Sequence, residues 1–329
     1  MLDPDKLQGI WYAGARPGIG LRAASLLYAA LAAIRRALYR LRILPRVRLP
    51  VPVVVVGNIS VGGTGKTPLT IALVLAMRER GYVPGVASRG FGGSAHSPQL
   101  LDAHADPAVV GDEPMLISRA THAPVAVGRD RVAATRLLLA NGVNVIIADD
   151  GLQHYRLDRD VEICVIDGVR RFGNGRLLPA GPLREPVTRL HSVDFRVCNG
   201  GSAQANEVPM QLIGDSVVNV GDPAQRKPLS AFAGQRVHAI AGIGNPSRFF
   251  AQLREAGVDL LEHAFADHHA YIATDIEFGD DLPVLMTAKD AVKCAAFAHP
   301  SCWLVPVQAQ LPTQFFQDIV DLLRARHTG

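Results

Sequence analysis

The chain has 329 residues, 48% of them apolar, and a net charge of +4. This length exceeds that of one small domain, and the apolar fraction is enough for a substantial core, so we expect two folded domains. The positive charge is concentrated in arginines near the N-terminus, interleaved with Leu and Ala, which argues against a generally basic, nucleic-acid-binding surface.

The first predicted element is a helix over residues 20–44, which contain helix-forming residues and neither Gly nor Pro after Gly20. Its uncharged run, residues 23–34, is shorter than the roughly 20 residues that cross a bilayer. An apolar stretch that carries Tyr28 and Tyr39 and ends in clustered arginines favours a helix lying in the interface of an anionic membrane. The alternative is an amphipathic helix that packs on its own domain.

Strand-like apolar runs then alternate with helical patterns. The strand-like runs are 51–57, 83–88, 123–128, 144–149, 161–167 and 193–199. The helical patterns are 66–80, 113–120 and 130–140. The first run, V-P-V-V-V-V-G, is typical of a strand buried on both faces of a parallel sheet. The alternation predicts a doubly wound, mostly parallel α/β sheet.

A polar stretch over residues 200–211 ends this pattern, and we place a domain boundary near residue 228. The strand-like runs beyond it are 236–241, 284–287 and 302–307, and the helical patterns are 246–256, 288–298 and 312–326. We therefore predict three parts: the N-terminal helix in residues 1–45, a larger α/β domain in 46–227 and a smaller α/β domain in 228–329.

Residues 60–67 read S-V-G-G-T-G-K-T and match the phosphate-loop pattern G-x-x-x-x-G-K-[ST], except that Ser60 replaces the first glycine. Glycines let backbone N–H groups turn toward phosphates, Lys66 can reach the β- and γ-phosphates, and the Thr67 hydroxyl can bind Mg²⁺. A purely structural turn is the less favoured alternative. We predict a sheet of the P-loop NTPase type in which eight residues bind the nucleotide: Ser60, Val61, Gly62, Gly63, Thr64, Gly65, Lys66 and Thr67.

A strand-like run, N-V-I-I-A-D-D, ends with Asp149 and Asp150. An acidic residue at the end of a neighbouring strand commonly holds Mg²⁺ in phosphate-loop enzymes. The alternative is that the carboxylate caps the following turn. The metal interpretation is favoured, and the pattern leaves open which of the two residues contacts the ion.

Further candidates for catalysis are less specific. Asp112 and Glu113 open a predicted helix, where capping is as plausible as a general base. His268 and His269 follow an aspartate in A-D-H-H, where a structural role is equally plausible. Arginines that follow strand-like runs or glycines are weak candidates for binding the transferred phosphoryl group: Arg89, Arg129 and Arg184.

These motifs together resemble the tetraacyldisaccharide 4′-kinase family, the lipid A 4′-kinases of Gram-negative bacteria. The resemblance spans nearly the whole chain and is carried, in order, by V-G-N-I-S-V-G-G-T-G-K-T-P, S-R-G-F-G, G-D-E-P, D-D-G-L-Q-H, L-P-A-G-P-L-R-E-P and F-A-D-H-H-A-Y. The family has Ser in place of the first glycine of the loop, so Ser60 supports the resemblance.

The resemblance implies an ATP- and Mg²⁺-dependent kinase that phosphorylates the 4′-hydroxyl of a tetraacylated glucosamine disaccharide 1-phosphate. It implies that Asp112 is the base and that His268 assists it, with His269 as the alternative histidine. The metal-binding residues implied are Thr67, Asp149, Asp150 and Glu185. The groups that balance charge on the phosphates are Lys66, Arg184 and Arg89.

The resemblance also implies two domains that close on each other and a lipid substrate, the tetraacyldisaccharide 1-phosphate, at a membrane surface. We expect the N-terminal helix to attach the enzyme to the cytoplasmic face of the inner membrane, with neither a nucleic acid nor an obligate protein partner. One alternative is a phosphate-loop GTPase or ATPase switch acting on a protein, but the guanine motif N-K-x-D is absent from the sequence. A non-enzymatic lipid-binding module would leave the phosphate loop without a role.

Overall fold

Two mostly parallel sheets organise the computed structural model, which describes residues 4–102 and 104–327. The strands are β1 (Val53–Gly57), β2 (Pro84–Ser88), β3 (Gln99–Leu100), β4 (Val125–Val127), β5 (Val145–Asp149), β6 (Val161–Asp167), β7 (Phe195–Asn199), β8 (Val208–Ile213), β9 (Ser216–Asn219), β10 (Arg226–Pro228), β11 (Arg236–Ala241), β12 (Asp259–Ala264), β13 (Val284–Thr287), β14 (Cys302–Val305) and β15 (Gln308–Gln310). The helices are α1 (Pro4–Tyr12), α2 (Ile19–Arg40), α3 (Lys66–Glu79), α4 (Pro107–Val110), α5 (Asp112–Thr121), α6 (Arg131–Ala140), α7 (Pro246–Glu255), α8 (Ala288–Cys294) and α9 (Thr313–His327).

The larger sheet, nine-stranded in the described residues, has the order β15-β8-β7-β6-β1-β5-β2-β4-β3. Strand β1 lies between β6 and β5 and is parallel to both. Val54 and Val56 pack in the core that includes α3 and α9, while Val53 and Val55 pack in the opposite core with α6. Because both faces are covered by helices, a continuous β-branched strand is stable here. The predicted doubly wound α/β class is confirmed.

The smaller sheet, six-stranded in the part of the chain described, has the order β10-β9-β14-β13-β11-β12. The chain enters it at β9 and returns at β15, which pairs antiparallel with β8 of the larger sheet. Phe315 and Ile319 of α9 pack in the core of the larger sheet. Residues 308–327 therefore lie with the larger sheet. The domain boundaries themselves stay a prediction.

Strand β8 differs from the sequence prediction of a polar connection over 200–211. It pairs in parallel with β7, and Met210 is its buried residue. The strand lies near the sheet edge, so most of its side chains are at least partly exposed, and its sequence lacks the apolar run that marks a central strand.

Helix α2 contacts the connection between β6 and β7 through polar groups on one face. Ser25 Oγ donates to the carbonyl of Leu177 at 2.8 Å, and Tyr28 Oη donates to the carbonyl of Arg184 at 3.0 Å. The helix ends at Arg40, earlier than the predicted residue 44, and Arg42 adopts a φ of 59°. Large apolar side chains of α2 are exposed: Ile19, Leu26, Leu27, Leu31 and Ile34. Among the described helices, none is long and apolar enough to cross a membrane.

Candidate active site

The predicted phosphate loop connects β1 to α3. Gly62 and Gly65 have φ values of 102° and 95°, in the left-handed region that glycine adopts without strain. A Cβ atom on Gly65 would lie 2.2 Å from Nδ2 of Asn199, so the position also has no room for a side chain. Helix α3 begins at Lys66, so its first N–H groups and its positive dipole end face the loop. This arrangement is suited to binding phosphate.

Two asparagines support the phosphate loop through hydrogen bonds to Thr64. Asn58 Nδ2 donates to Thr64 Oγ1 at 3.1 Å, and Asn199 Nδ2 donates to the Thr64 carbonyl at 2.9 Å. Arg248 of α7 donates to Asn199 Oδ1 at 2.8 Å, which connects the smaller sheet to the loop. The sequence analysis missed these three supporting residues. Asn58 and Asn199 lie at the carboxyl ends of β1 and β7, which is the signal that could have identified them.

The two aspartates after β5 have different surroundings. Asp149 is buried; its Oδ1 accepts from Thr70 Oγ1 at 3.1 Å, and its Oδ2 has no hydrogen-bond partner among the described residues. Asp150 accepts from Arg184 Nη1 at 2.9 and 3.0 Å and lies 3.6 Å from Lys66 Nζ. Asp149 thus offers a free oxygen, whereas Asp150 holds two cationic groups in place.

Their electrostatics differ accordingly. Burial raises the pKa of Asp149 to about 7, and the charge of Glu113 adds to this effect. Burial also acts on Asp150, but the charges of Lys66 and Arg184 outweigh it and lower the pKa of Asp150 to about 2. Asp150 is therefore ionised throughout the neutral range.

A buried arginine, which the sequence analysis missed, lies next to this pair. Arg131 of α6 donates through Nη2 to the backbone carbonyl of Asp149 at 2.7 Å. Burial lowers the pKa of Arg131 to about 10, so the side chain is still charged at neutral pH. It places a fixed positive charge behind the two carboxylates.

On the other side of the cleft, the first residue of α5 meets the loop that follows β12. His268 Nδ1 lies 3.1 Å from Asp112 Oδ2, and Asp112 is 4% exposed. His269 instead lies 2.9 Å from Asp275 and stacks on Phe265. His268 is therefore the histidine that contacts Asp112, whereas His269 contacts Asp275.

The pair is surrounded by lysines of α8, which the sequence analysis also missed. Lys289 Nζ lies 3.8 Å from Asp112 Oδ2 and Lys293 Nζ lies 3.9 Å from it. Burial alone would raise the pKa of Asp112, but the hydrogen bond with His268 and the lysine charges outweigh it, so its pKa lies below the ordinary value. Asp112 is ionised at neutral pH.

One cavity of about 390 Å³ joins these groups. Its lining includes the phosphate loop, Asp150 and Arg184 on one side and His268 and Lys289 on the other. The two sheets approach closely here, because a Cβ on Gly244, after β11, would lie 2.8 Å from the backbone N of Gly63. A second cavity of about 750 Å³ lies beside α2 and is lined by arginines and carboxylates outside the predicted site. The smaller cavity is the candidate active site.

Comparison with known proteins identifies the family. Residues 18–324 match the family described as tetraacyldisaccharide-1-P 4′-kinase, LpxK. The chain is 52% identical over 328 residues to the tetraacyldisaccharide 4′-kinase of Xanthomonas euvesicatoria pv. vesicatoria, covering 96% of this chain and 95% of that one. The chain belongs to the LpxK family. It is also 51% identical to the tetraacyldisaccharide 4′-kinase of Stenotrophomonas maltophilia over 323 residues, covering 95% of each chain.

A solved structure of an LpxK has the same fold. The crystal structure described as the apo form of LpxK from Aquifex aeolicus in complex with ATP superposes with a TM-score of 0.76. It is 26% identical to this chain, of which 92% is covered, and 98% of the Aquifex chain is covered. The predicted family and the predicted phosphotransferase class are confirmed.

Phosphate-loop kinases transfer the γ-phosphate of ATP with the help of Mg²⁺, and the residues present fit both groups. The unpartnered Oδ2 of Asp149 is a buried acceptor next to the phosphate loop, and Thr67 and Asp150 line the cavity. Mg²⁺ in such sites takes one or two carboxylates together with nucleotide phosphates and water. In the described part of the chain, no group of three or more His, Cys, Asp or Glu residues is placed to hold a metal ion.

Two predicted residues, Glu185 and Arg89, lie outside the residues that line the cavity. Glu185 accepts hydrogen bonds from the Tyr155 hydroxyl and from Gln153 Nε2, the latter at 3.0 Å, so both of its carboxylate oxygens are engaged. Gln153 also donates to the backbone carbonyl of Asn58, at the entrance to the phosphate loop. These contacts place Glu185 beside the phosphate loop, and its metal-binding role stays a prediction. Arg89 is exposed and lies outside the residues that line the cavity.

Proposed function

We propose that this chain is an ATP-dependent kinase that transfers the γ-phosphate to the 4′-hydroxyl of a tetraacylated glucosamine disaccharide 1-phosphate, a lipid A precursor. The relatives described as tetraacyldisaccharide 4′-kinases support this acceptor. The Aquifex LpxK in complex with ATP supports the donor. The observation that carries the proposal is one cavity lined both by the phosphate loop and by His268, whose ring contacts Asp112.

On the donor side, backbone N–H groups at the start of α3 would bind the triphosphate. Lys66 and Arg184 would balance the charge on its terminal phosphates, and both are already oriented by Asp150. Thr67, Asp149 and Asp150 would hold Mg²⁺, which would further neutralise the phosphate charge. The chain thus contributes chiefly position and positive charge.

On the acceptor side, the pair formed by Asp112 and His268 takes up the proton of the 4′-hydroxyl. The hydroxyl oxygen forms the new bond to the γ-phosphorus, the bond from that phosphorus to the β,γ-bridging oxygen breaks, and its electron pair leaves with ADP. The buried Asp112 is ionised at neutral pH, and His268 connects it to the cavity. The pair is therefore in a state that can accept one proton.

We further propose that α2 lies on the cytoplasmic face of the inner membrane, as a peripheral or monotopic attachment. Leu26 is 73% exposed and Leu31 is 60% exposed, and such apolar surface is favourable in a membrane interface. The opposite face of α2 bonds to the segment that carries Arg184. Acyl chains could thus stay in the lipid while the sugar reaches the cavity. The proposal requires neither a nucleic acid nor a protein partner.

The test is transfer of labelled γ-phosphate from ATP to tetraacyldisaccharide 1-phosphate in mixed detergent micelles. The intact chain is compared with Lys66→Ala and with a matched control, Lys227→Ala, on β10 away from the cavity. We expect lipid labelling by the intact chain and the control, and its loss in Lys66→Ala. Nucleotide hydrolysis without lipid labelling would favour a switch protein instead.

A further inference from the structure

Lys289 lies at the centre of a charged cluster that joins the two sheets beside the cavity. Its Nζ lies 3.1 Å from Asp267 Oδ1 and 3.3 Å from Glu113 Oε1. The same atom lies 3.8 Å from Asp112 Oδ2 and 3.4 Å from His268 Nε2. The lysine side chain is 14% exposed, so water screens these contacts weakly. Lys289 thus contacts both members of the proposed proton-accepting pair.

These contacts determine where the ring proton of His268 lies. An ammonium group has three donors and no acceptor, so the charge of Lys289, 3.4 Å from Nε2 of His268, disfavours a proton on that nitrogen. The shorter contacts of the ammonium go to Asp267 and Glu113, which leaves the Nε2 lone pair open. The neutral ring then carries its hydrogen on Nδ1, from which it donates to Asp112 Oδ2 at 3.1 Å. The ionised carboxylate of Asp112 and the open Nε2 of His268 leave the pair able to take up a proton.

Neighbouring charges come from α5, from the loop after β12 and from α8. The charged and titratable groups around the pair are Asp112, Glu113, Asp267, His268, Lys289, Asp290 and Lys293. Lys293 is bound to Asp290 of its own helix at 3.1 Å. Lys289 is therefore the lysine of this cluster that touches both the carboxylate and the imidazole.

We propose that Lys289 is a positioning residue for phosphoryl transfer: its ammonium keeps Asp112 ionised and His268 in the Nδ1–H form, and so sets the lowest pH at which the pair accepts the proton of the sugar hydroxyl. This inference rests on the proposed function, because the role of the pair is assigned there. An ion pair that merely joins α5 to α8 would contribute to stability and leave the pH dependence of turnover unchanged.

The experiment compares the pH profiles of kcat for the intact chain, Lys289→Met, Lys289→Gln, Lys289→Arg and the control Lys227→Met. Lys227 Nζ lies 4.4 Å from the ring centroid of Trp303, on the smaller sheet. Because the ammonium stabilises the carboxylate, its removal raises the pKa of Asp112, and the pair becomes protonated at a higher pH. The acidic limb should move upward by about one pH unit in the Met and Gln variants, while Arg should restore it.

Melting temperature and ATP affinity are measured for each variant to establish that it is folded. An acidic limb that coincides with that of the intact chain in a folded Met or Gln variant would overturn the inference. A displaced limb in Lys289→Arg, equal to that of Lys289→Met, would also overturn it, because the charge would then not be the cause. Absence of lipid labelling by the intact chain would contradict the proposed function instead.

Discussion

Replacing Asp112 by Asn tests the pair on which the acceptor chemistry depends. Asn has the same size as Asp. It also keeps an oxygen that can accept the hydrogen bond that the backbone N–H of Glu113 donates to Asp112 Oδ1 at 2.8 Å. It is neutral, however, and cannot take up a proton. A positioned general base contributes about 10²–10⁴ in rate, or roughly 3–5 kcal/mol of activation free energy. We therefore expect kcat to fall by about 10²–10⁴.

The fold should tolerate this substitution because the nearby lysines keep other partners. Lys289 remains 3.1 Å from Asp267 and 3.3 Å from Glu113, and Lys293 remains 3.1 Å from Asp290. The charges are thus not left buried and unpaired, which is the costly outcome when one partner is removed. ATP affinity should stay near that of the intact chain, since Asp112 lies outside the phosphate loop.

The assay is steady-state phosphoryl transfer to the lipid acceptor, with ATP binding measured by calorimetry. Asp275→Asn is a matched control, because Asp275 makes the same kind of contact, at 2.9 Å, with the adjacent His269. The control should keep kcat within about threefold of the intact chain, a change much smaller than the loss of kcat expected when a general base is removed. Near-normal kcat in Asp112→Asn, or an equal loss in both variants, would show that Asp112 is not the base.

Three further predictions concern the phosphate loop, helix α2 and the metal site. Gly65→Ala adds strain of about 1–2 kcal/mol from its positive φ and a close contact, so calorimetry should show ATP affinity reduced at least about tenfold; Gly142→Ala, also at positive φ, should retain affinity. Replacing Leu27 and Leu31 by Glu should abolish sedimentation with anionic vesicles while leaving activity in detergent intact; unchanged sedimentation would contradict interfacial attachment. Because Glu185 contacts Tyr155 and Gln153, Glu185→Gln should lower the melting temperature but not the affinity for Mg²⁺; a raised Mg²⁺ requirement would instead support the predicted metal role of Glu185.

Much of the larger sheet can be predicted from sequence because its central strands are buried on both faces. The valines of β1 alternate between two cores, so every position must be apolar and the run is continuous. Strands near the edges lack this constraint. Gln308–Gln310 pairs with Val208–Ile213, far away in the chain, and neither segment has a burial pattern that predicts its partner.

The residues of the site also fall into two groups, those that the sequence predicts and those that it does not. Lys66 and Asp150 lie in motifs whose spacing follows from phosphate chemistry, so the sequence predicts them. Lys289 acts through contacts with Glu113 and Asp267, residues distant in sequence that meet when the two sheets approach. The sequence T-A-K-D around Lys289 does not indicate that this lysine contacts Glu113 and Asp267. Likewise, the sequence could not distinguish His268 from His269, because their difference depends on which aspartate each ring faces.

We propose that the cavity directs phosphoryl transfer to the 4′-hydroxyl of the lipid. The position of the new phosphate can be determined by phosphorus NMR of the purified product, made from ATP and tetraacyldisaccharide 1-phosphate. We expect one new phosphomonoester that couples to the proton on the 4′ carbon, with the 1-phosphate retained. A new phosphate at another position, or phosphate released to water with the lipid unchanged, would contradict it.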